Sequence, residues 1–286
     1  MGGIVATADA GSWRQRYGGV RDLLLGLSFV RDDGEVAKAG GRVVKNVAGY
    51  DLMKLFTGAY GTSGIMTQLT FRTYPLINTS QTLVLTGKAA AIAQATQTVR
   101  NSGLTPTAMD LLSATVIKQL DLGSDLGLII RWQTIPESIE QQINQVKEIA
   151  KQLDLSISTY ADSETKLWQD CTNIINTPDE TITCKIGIAP AAAVGFLDRF
   201  KQQSILARVH ASSGLGRIQL SAYEQIEEMR SHCQQNYGFL TILDAPQAVK
   251  QKIDVWGYSG NALKAMQALK SQFDPQNIFN PGRFIV

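Results

Sequence analysis

"GAYGTSGIMTQLTFRTYP", residues 58–75, places three glycines in seven residues and then alternates. Ile65, Thr67, Leu69 and Phe71 fall on one side; Gln68, Thr70 and Arg72 fall on the other. That alternation is the pattern of a strand, and Pro75 stops it. The glycines admit two readings. They punctuate a turn, or they bare the backbone so that a flat or anionic ligand can approach where a Cβ would block it. Just upstream, "GYDLMKLF" (49–56) reads as a short helix that the glycines break. Asp51 sits near its start, where a carboxylate suits exposed backbone N–H groups.

Working outward, residues 1–77 hold 13 of the 25 glycines and read as short strands and turns. "VRDLLLGLSFV" followed by "RDDGEV" predicts a strand entering an Asp-Gly hairpin turn. After about residue 78 the rhythm becomes strand then helix. "QTLVLTG", "GLIIRWQ", "LSISTY", "TITCKIGIA" and "FLTILDAP" read as strands, and "SILARVHAS" with "GRIQLS" as a pair around a glycine turn. "KAAAIAQATQTVRNSG", "PESIEQQINQVKEIAKQLD", "SETKLWQDCTNII", "AAAVGFLDRFKQ", "AYEQIEEMRSHCQQNYG" and "NALKAMQALKSQF" read as helices, with Pro136 in the first turn of its own. Half-polar strands favour an α+β class with a half-covered antiparallel sheet. No repeat of fixed period stands out. The expected division is 1–77 and 78–286.

The totals exclude several classes. The chain has 286 residues, 44% of them hydrophobic and 18% charged, as in an ordinary soluble globular protein. A net charge of +2 without long basic blocks gives no sign of nucleic-acid binding. No apolar run approaches the ~20 residues that span a bilayer, and no secretory signal is evident. Cys171, Cys184 and Cys233 are odd in number and widely spaced, which fits a reducing cytosol and neither a disulfide framework nor a C-x-x-C metal site.

Four groups could carry chemistry. The first is the glycine set, including Gly2, Gly3, Gly18, Gly19, Gly40, Gly41, Gly49, Gly58, Gly61 and Gly64. Neither G-x-G-x-x-G nor the P-loop pattern is present, and on composition alone turn punctuation carries more weight. The second is His210 in "RVHASSGLGR", a base, a metal ligand or a structural histidine at a strand end. No acidic residue lies within six positions of it, so the structural role is favoured; nor do Ser212 and Ser213 sit in a nucleophile elbow. The third is Lys45, Asn46, Tyr50 and Asp51, read either as a cofactor-orienting set or as a helix cap and solvated strand end. The fourth is the tail "FDPQNIFNPGRFIV", too apolar at Phe279, Phe284, Ile285 and Val286 to be left loose in water. Packed down, it fixes Asn280 and Arg283 in place.

Taken together, "GGIVAT…RYGGVRDLLLGLSFVRDDGEV…KNVAGYDLMKLFTGAYGTSGIMTQLTF" resembles the second half of the FAD-binding domain of vanillyl-alcohol-oxidase type flavoproteins. "FDPQNIFNPGRF" resembles the tail of the same group. The likeness runs from Met1 to about Pro75 and resumes over roughly the last fifty residues. Within the group, the E-type flavin subunits of glycolate oxidase (glycolate dehydrogenase) are the nearest pattern. D-type relatives carry Asn-Ala-Gly-Gly where this chain has Ala8-Asp9-Ala10-Gly11, and a His-x-Gly-Asp-Gly-Asn-x-His strand where it has "HASSGLGRI".

The resemblance implies the C-terminal half of a PCMH-type FAD-binding domain at 1–77. A ferredoxin-like, antiparallel α+β domain of the FAD-linked oxidase C-terminal type would follow at 78–286, its tail 274–286 returning to the first. It implies FAD as cofactor. Gly2, Gly3 and Gly11 would line the flavin ring or phosphates, Gly61, Gly64 and Ile65 would present backbone groups, and Asn280 and Arg283 would bring the tail back. It implies oxidation of glycolate to glyoxylate in the cytoplasm, peripheral at the inner membrane, with a D-type flavin subunit and an iron–sulfur F subunit as partners. The family's metal-ligand pair does not carry over, so no metal is expected and no catalytic residue is assigned. Members of the family have a glycine-rich pyrophosphate loop upstream of the Gly-Gly, where this sequence has only Met1. The expectation is therefore an N-terminally truncated member with one wall of the cleft. Two other readings stay open: a non-catalytic assembly subunit, and a cytosolic α+β protein whose glycines serve only turns.

Overall fold

The computed structural model describes residues 1–44, 49–176, 181–258 and 260–284. The chain divides into two units, one made of Met1–Leu76 with Tyr258–Val286 and the other of Ile77–Gly257.

The first unit begins with three short helices, α1 (Gly2–Thr7), α2 (Arg14–Tyr17) and α3 (Val20–Leu23). Strands and turns were expected here. Helix wins in α1 because Val5 is fully buried in the unit's core and the helix is closed by Ala8 in a left-handed conformation (φ 48°). Tertiary packing overrides the low helix propensity of Gly2 and Gly3. β1 (Leu24–Val30) and β2 (Val36–Gly40) form the expected hairpin, its turn closed by Arg31 N–H donating to the Glu35 carbonyl at 3.0 Å. α4 (Leu52–Phe56) follows, then β3 (Ile65–Phe71), giving a three-stranded antiparallel sheet in the order β2-β1-β3.

The alternation in β3 is not strict. Phe29 faces Met66 and Leu27 faces Leu69, with a register shift between Ser28 and Phe29 that leaves Thr67 as the extra residue. This bulge turns Met66, and not Ile65, toward the core, so Ile65 stays 57% exposed. Phe29 and Phe56 close the core with ring centroids 4.3 Å apart.

The second unit is one antiparallel sheet of eight strands. In chain order these are β4 (Ser80–Gly87), β5 (Ala108–Leu112), β6 (Leu126–Gln133), β7 (Ser156–Tyr160), β8 (Ile182–Gly187), β9 (Leu206–His210), β10 (Leu215–Leu220) and β11 (Phe239–Asp244). The helices are α5 (Ala89–Asn101), α6 (Ala114–Gln119), α7 (Pro136–Gln152), α8 (Glu164–Ile175), α9 (Ala193–Arg199), α10 (Ile226–Gln235) and α11 (Gln247–Lys250). α12 (Gly260–Phe273) belongs to the first unit.

The spatial order β11-β8-β10-β9-β5-β6-β4-β7 resolves into two copies of one plan. β4-α5-β5-β6-α7-β7 and β8-α9-β9-β10-α10-β11 are each a βαββαβ unit with its first and third strands central, the ferredoxin-like arrangement. They join edge to edge through β5 and β9, where Asp110 faces His210, Leu111 faces Val209 and Leu112 faces Arg208. The sequence reading skipped β5 and α6, and no fixed period disclosed the duplication.

α5, α7, α9 and α10 cover one face over a continuous core that includes Leu111, Ile130, Trp132, Phe196 and Val209. α6 and α8 cover part of the other face, packing Val116, Ile117, Leu167 and Cys171 onto Val84, Leu112 and Ile129. The half-covered sheet expected from polar alternation is therefore covered on one face and partly covered on the other. Among the described residues, no helix is long and apolar enough to cross a membrane.

Burial pushes the thiols of Cys171, Cys184 and Cys233 up to about 12. Thiolate is the reactive form, so native protein at neutral pH should leave all three unmodified by a thiol reagent on a timescale of minutes, and urea-unfolded protein should react at three sites. Leu111→Ala, at a fully buried seam position, should cost about 2–5 kcal/mol in denaturant unfolding, while Ile65→Ala should stay within about 0.5 kcal/mol.

Candidate functional site

Residues 58–64 leave α4 in a run of left-handed conformations: Gly58 at φ 83°, Tyr60 at 52°, Gly61 at 73° and Gly64 at 145°. A Cβ at Gly64 would stand 2.8 Å from the Val30 carbonyl oxygen, and one at Gly61 would stand 2.7 Å from Asn280 Nδ2. The chain's own packing thus demands both glycines. Gly2, Gly3 and Gly11 differ: no protein atom comes within 4 Å of where a Cβ would be. Gly34, Gly49, Gly103, Gly195 and Gly282 are open in the same way, so open space by itself does not mark a cofactor wall.

The turn is held from two sides. Gly58 and Tyr60 N–H groups donate to the Val5 and Ala6 carbonyls of α1 at 2.9 and 2.8 Å. On the other side, the tail grips it. Asn280 Nδ2 donates to the Tyr60 carbonyl at 2.7 Å. Lys270 Nζ, on α12, donates to the carbonyls of Thr62 at 3.1 Å and Phe279 at 2.9 Å, and pairs with Asp274. Asp274 also accepts from the Ile278 and Phe279 N–H groups at 2.9 and 2.8 Å. Phe284 packs 4.9 Å from the Tyr60 ring. Among the described residues, the N–H groups of Gly61 and Ser63 make no hydrogen bond, so the stapled turn keeps donors to offer.

The sequence-predicted residues therefore separate. Gly61, Gly64 and Asn280 come together at one turn. Gly2 and Gly3 lie in α1, whose last carbonyls reach that turn, and Gly11 lies in the loop after it. Ile65 begins β3 with its side chain exposed. Arg283 is exposed, its N–H closing a turn onto Asn280 at 3.1 Å. Phe279 and Phe284 are buried, as an apolar tail requires. Of the third group, Lys45 and Asn46 lie outside the described residues, as do Ile285 and Val286 of the tail. Tyr50 is 90% exposed. Asp51 occupies the N-cap of α4 but accepts no hydrogen bond from the helix; it pairs instead with Arg21, and with Lys54 at 3.6 Å. A guanidinium is a stronger partner for a carboxylate than a backbone amide.

A second polar group stands on the partly covered face of the eight-stranded sheet. Asp110 on β5 is fully buried. His210 on β9 is its cross-strand partner, with Nδ1 2.7 Å from Asp110 Oδ1. Arg208 Nε lies 3.9 Å from Asp110 Oδ2, and Arg208 Nη1 donates to Thr172 Oγ1 of α8 at 3.1 Å. The sequence argument against a working histidine was the lack of a nearby acid. The acid lies 100 positions away in the chain and directly opposite in the sheet. An Asp inside the apolar run "AMDLL" was the signal for it.

Comparisons with known proteins bear on the first group. Residues 252–284, containing the tail that grips the turn, match the family of FAD linked oxidases, C-terminal domain. The chain is 24% identical over 318 residues to the glycolate oxidase subunit GlcD of Bacillus subtilis, covering 99% of this chain and 67% of that protein. It is 43% identical over 74 residues to the glycolate oxidase subunit GlcE of Escherichia coli, covering 26% of this chain and 21% of that protein. The chain thus spans two thirds or less of these relatives. Among solved structures, p-cresol methylhydroxylase with substrate bound superposes with a TM-score of 0.71 at 15% identity, over 98% of this chain and 68% of that one. The fold is that of the vanillyl-alcohol-oxidase type flavoproteins, α+β with antiparallel sheets, as the sequence resemblance implied.

The Lys270–Asp274 node gives the turn an acid dependence. Burial raises the Asp274 pKa, but the hydrogen bonds from Lys270, Ile278 and Phe279 and the Lys270 charge outweigh it and hold the carboxyl below its usual value. A carboxyl with a depressed folded pKa adds stability that is complete above its unfolded value of about 3.9 and lost as pH falls through the folded value. Tail protection in hydrogen exchange should therefore be flat from pH 7 to about 5 and fall below about pH 4. Asp274→Asn leaves Lys270 without its charge partner and should cost about 3 kcal/mol at neutral pH.

Proposed function

We propose that this chain is an FAD-binding subunit of a 2-hydroxy-acid oxidoreductase, with glycolate as substrate and glyoxylate as product. The observation that carries the reading is the stapled turn: the segment matching FAD linked oxidases is the one that grips residues 58–64. FAD is the cofactor that this match and the relatives' class indicate.

In this reading Gly2, Gly3 and Gly11 leave room for FAD, and Gly61, Gly64 and Ile65 offer backbone groups to it. Asn280 acts through the Tyr60 carbonyl it holds, and Arg283 through the turn it closes onto Asn280. FAD, when bound, supplies the hydride acceptor for alcohol oxidation. The chain's own residues supply placement: Lys270 and Asp274 keep the turn in one conformation, so that its free N–H groups are pre-aimed and no ordering cost falls on binding. The GlcE-like 74 residues support the E-type assignment, and with it a D-type flavin subunit and an iron–sulfur F subunit as partners and a cytoplasmic site of action, peripheral at the inner membrane.

Purified full-length protein should carry flavin absorbance or take up added FAD. Asn280→Ala, which removes one hydrogen bond of about 1 kcal/mol, should weaken FAD retention about five-fold. Colourless protein with no uptake of FAD in titration overturns the reading.

A further inference from the structure

Among the described residues the two sheets end in four outer strands: β2, β3, β7 and β11. The unpaired N–H and C=O groups along an outer strand invite another strand to add, and three of the four edges are defended against it. β2 carries Lys38. β3 carries the Thr67 bulge. β11 is covered by the chain itself, with Ile242 N–H donating to the Val255 carbonyl at 2.8 Å and Thr241 Oγ1 to the Trp256 carbonyl at 2.9 Å.

β7 has none of these devices. "SISTY" contains no charge and no proline, and its pairing with β4 runs from Thr82–Tyr160 to Thr86–Ser156 without a bulge. Strand groups alternate in direction, so about half of those in β7 point away from β4. Among the described residues, no backbone group of Ser156–Tyr160 bonds anything beyond that pairing. Both faces of the edge are also unfinished. Ile149, Leu153 and Ile157 are only partly buried on the helix-covered face, as are Tyr160 and Trp168 on the other. A strand laid along β7 would pair the outward groups and cover these side chains together.

Charge selects the occupant and its register. Asp154 and Asp162, both exposed, flank the strand. A second β7, antiparallel about a two-fold axis at Ser158, would bring Asp154 of each copy beside Asp162 of the other, and like charges so placed repel. Moving the axis to Ile157 sets Ile157 against Ile157, Ser156 against Ser158 and Asp154 beside Tyr160. The neutral strand then meets itself with no charges opposed, and its half-buried isoleucines join across the axis.

We propose that β7 pairs antiparallel with β7 of a second copy of this chain around a two-fold axis at Ile157, making one continuous sheet of the two eight-stranded sheets. Such an interface is self-complementary. A five-residue edge lies at the low end of specific interfaces, which bury about 1,200 Å² or more, so the dimer is weak and forms with rising concentration. The proposal goes beyond the FAD reading and does not rest on it.

Full-length protein in sedimentation velocity, from about 1 to about 300 μM, should rise in mass from one chain toward two. Ile157→Cys should form a disulfide-linked dimer on mild oxidation, because residues facing each other across an antiparallel pair have Cα atoms about 4.5–5.5 Å apart, within disulfide reach. Thr159→Cys should not, since the axis at Ile157 separates the two copies of residue 159 by about 13 Å or more. The native cysteines are buried and give a low background. Thr159→Lys, at an exposed position, should leave the urea midpoint unchanged and weaken the dimer about ten-fold, since symmetry counts the substitution twice. A monomer throughout the range, a dimer that Thr159→Lys leaves unchanged, or cross-linking at Thr159→Cys as efficient as at Ile157→Cys overturns the proposal. Monomeric protein whose Ser156–Tyr160 amides gain protection from hydrogen exchange only with a different chain added also overturns it, by giving the edge another occupant.

Discussion

Three residue pairs between β5 and β9 hold the second unit together. Each half of the eight-stranded sheet is a closed plan with two edges, and an unpaired strand edge is a liability that must be paired or covered. Joining the two halves along β5 and β9 removes one edge from each. Ser113 N–H to the Ala207 carbonyl at 3.0 Å and Ala211 N–H to the Met109 carbonyl at 2.9 Å extend the seam at both ends. The Ser113 hydroxyl then caps α6 and bonds the Ile205 carbonyl at 2.8 Å, so the seam also sets where the second-face helix begins. At the other outer edge, β11 is covered by the chain itself, through Ile242 N–H to the Val255 carbonyl at 2.8 Å.

The same seam explains how a fully buried aspartate is tolerated. Isolated in an apolar strand, a carboxylate would cost several kcal/mol. Register puts an imidazole opposite Asp110, and Arg208 two residues before it on the same face. A one-residue slip would turn Arg208 and His210 into the Trp132-lined core on the opposite face, away from Asp110. Electrostatics and hydrophobic packing therefore select the same register.

What the sequence disclosed follows from what is local. Strands such as "QTLVLTG" and the Pro136-initiated helix carry their periodicity and their stop signals in themselves, and they appear where expected. The apolar tail was legible because Phe279 and Phe284 have nowhere else to go. What escaped depends on distant partners. β5 was passed over because Asp110 interrupts its apolar run, and the histidine that excuses it is 100 positions away. α1 was misread because two glycines argue against helix, and only the burial of Val5 argues for it. Ile65 was set on one side with Leu69 and Phe71 because a bulge two residues later is invisible in a pattern of alternation. At the site, glycine content was visible, but which glycines serve the turn and which leave open space is decided by Val30 and Asn280, neither of them a sequence neighbour.

The first unit is written in two pieces, with residues 77–257 between them. A ribosome delivers residues in order, so the second unit can reach its native topology while the first still lacks α12, Asp274 and Asn280. Until those emerge, the 58–64 turn has α1 on one side and nothing on the other. Maturation of the turn thus waits for residues 270–280 to emerge. A nascent chain stalled short of residue 270 would present a finished sheet and an unfinished turn, with the Tyr60 ring lacking its Phe284 partner.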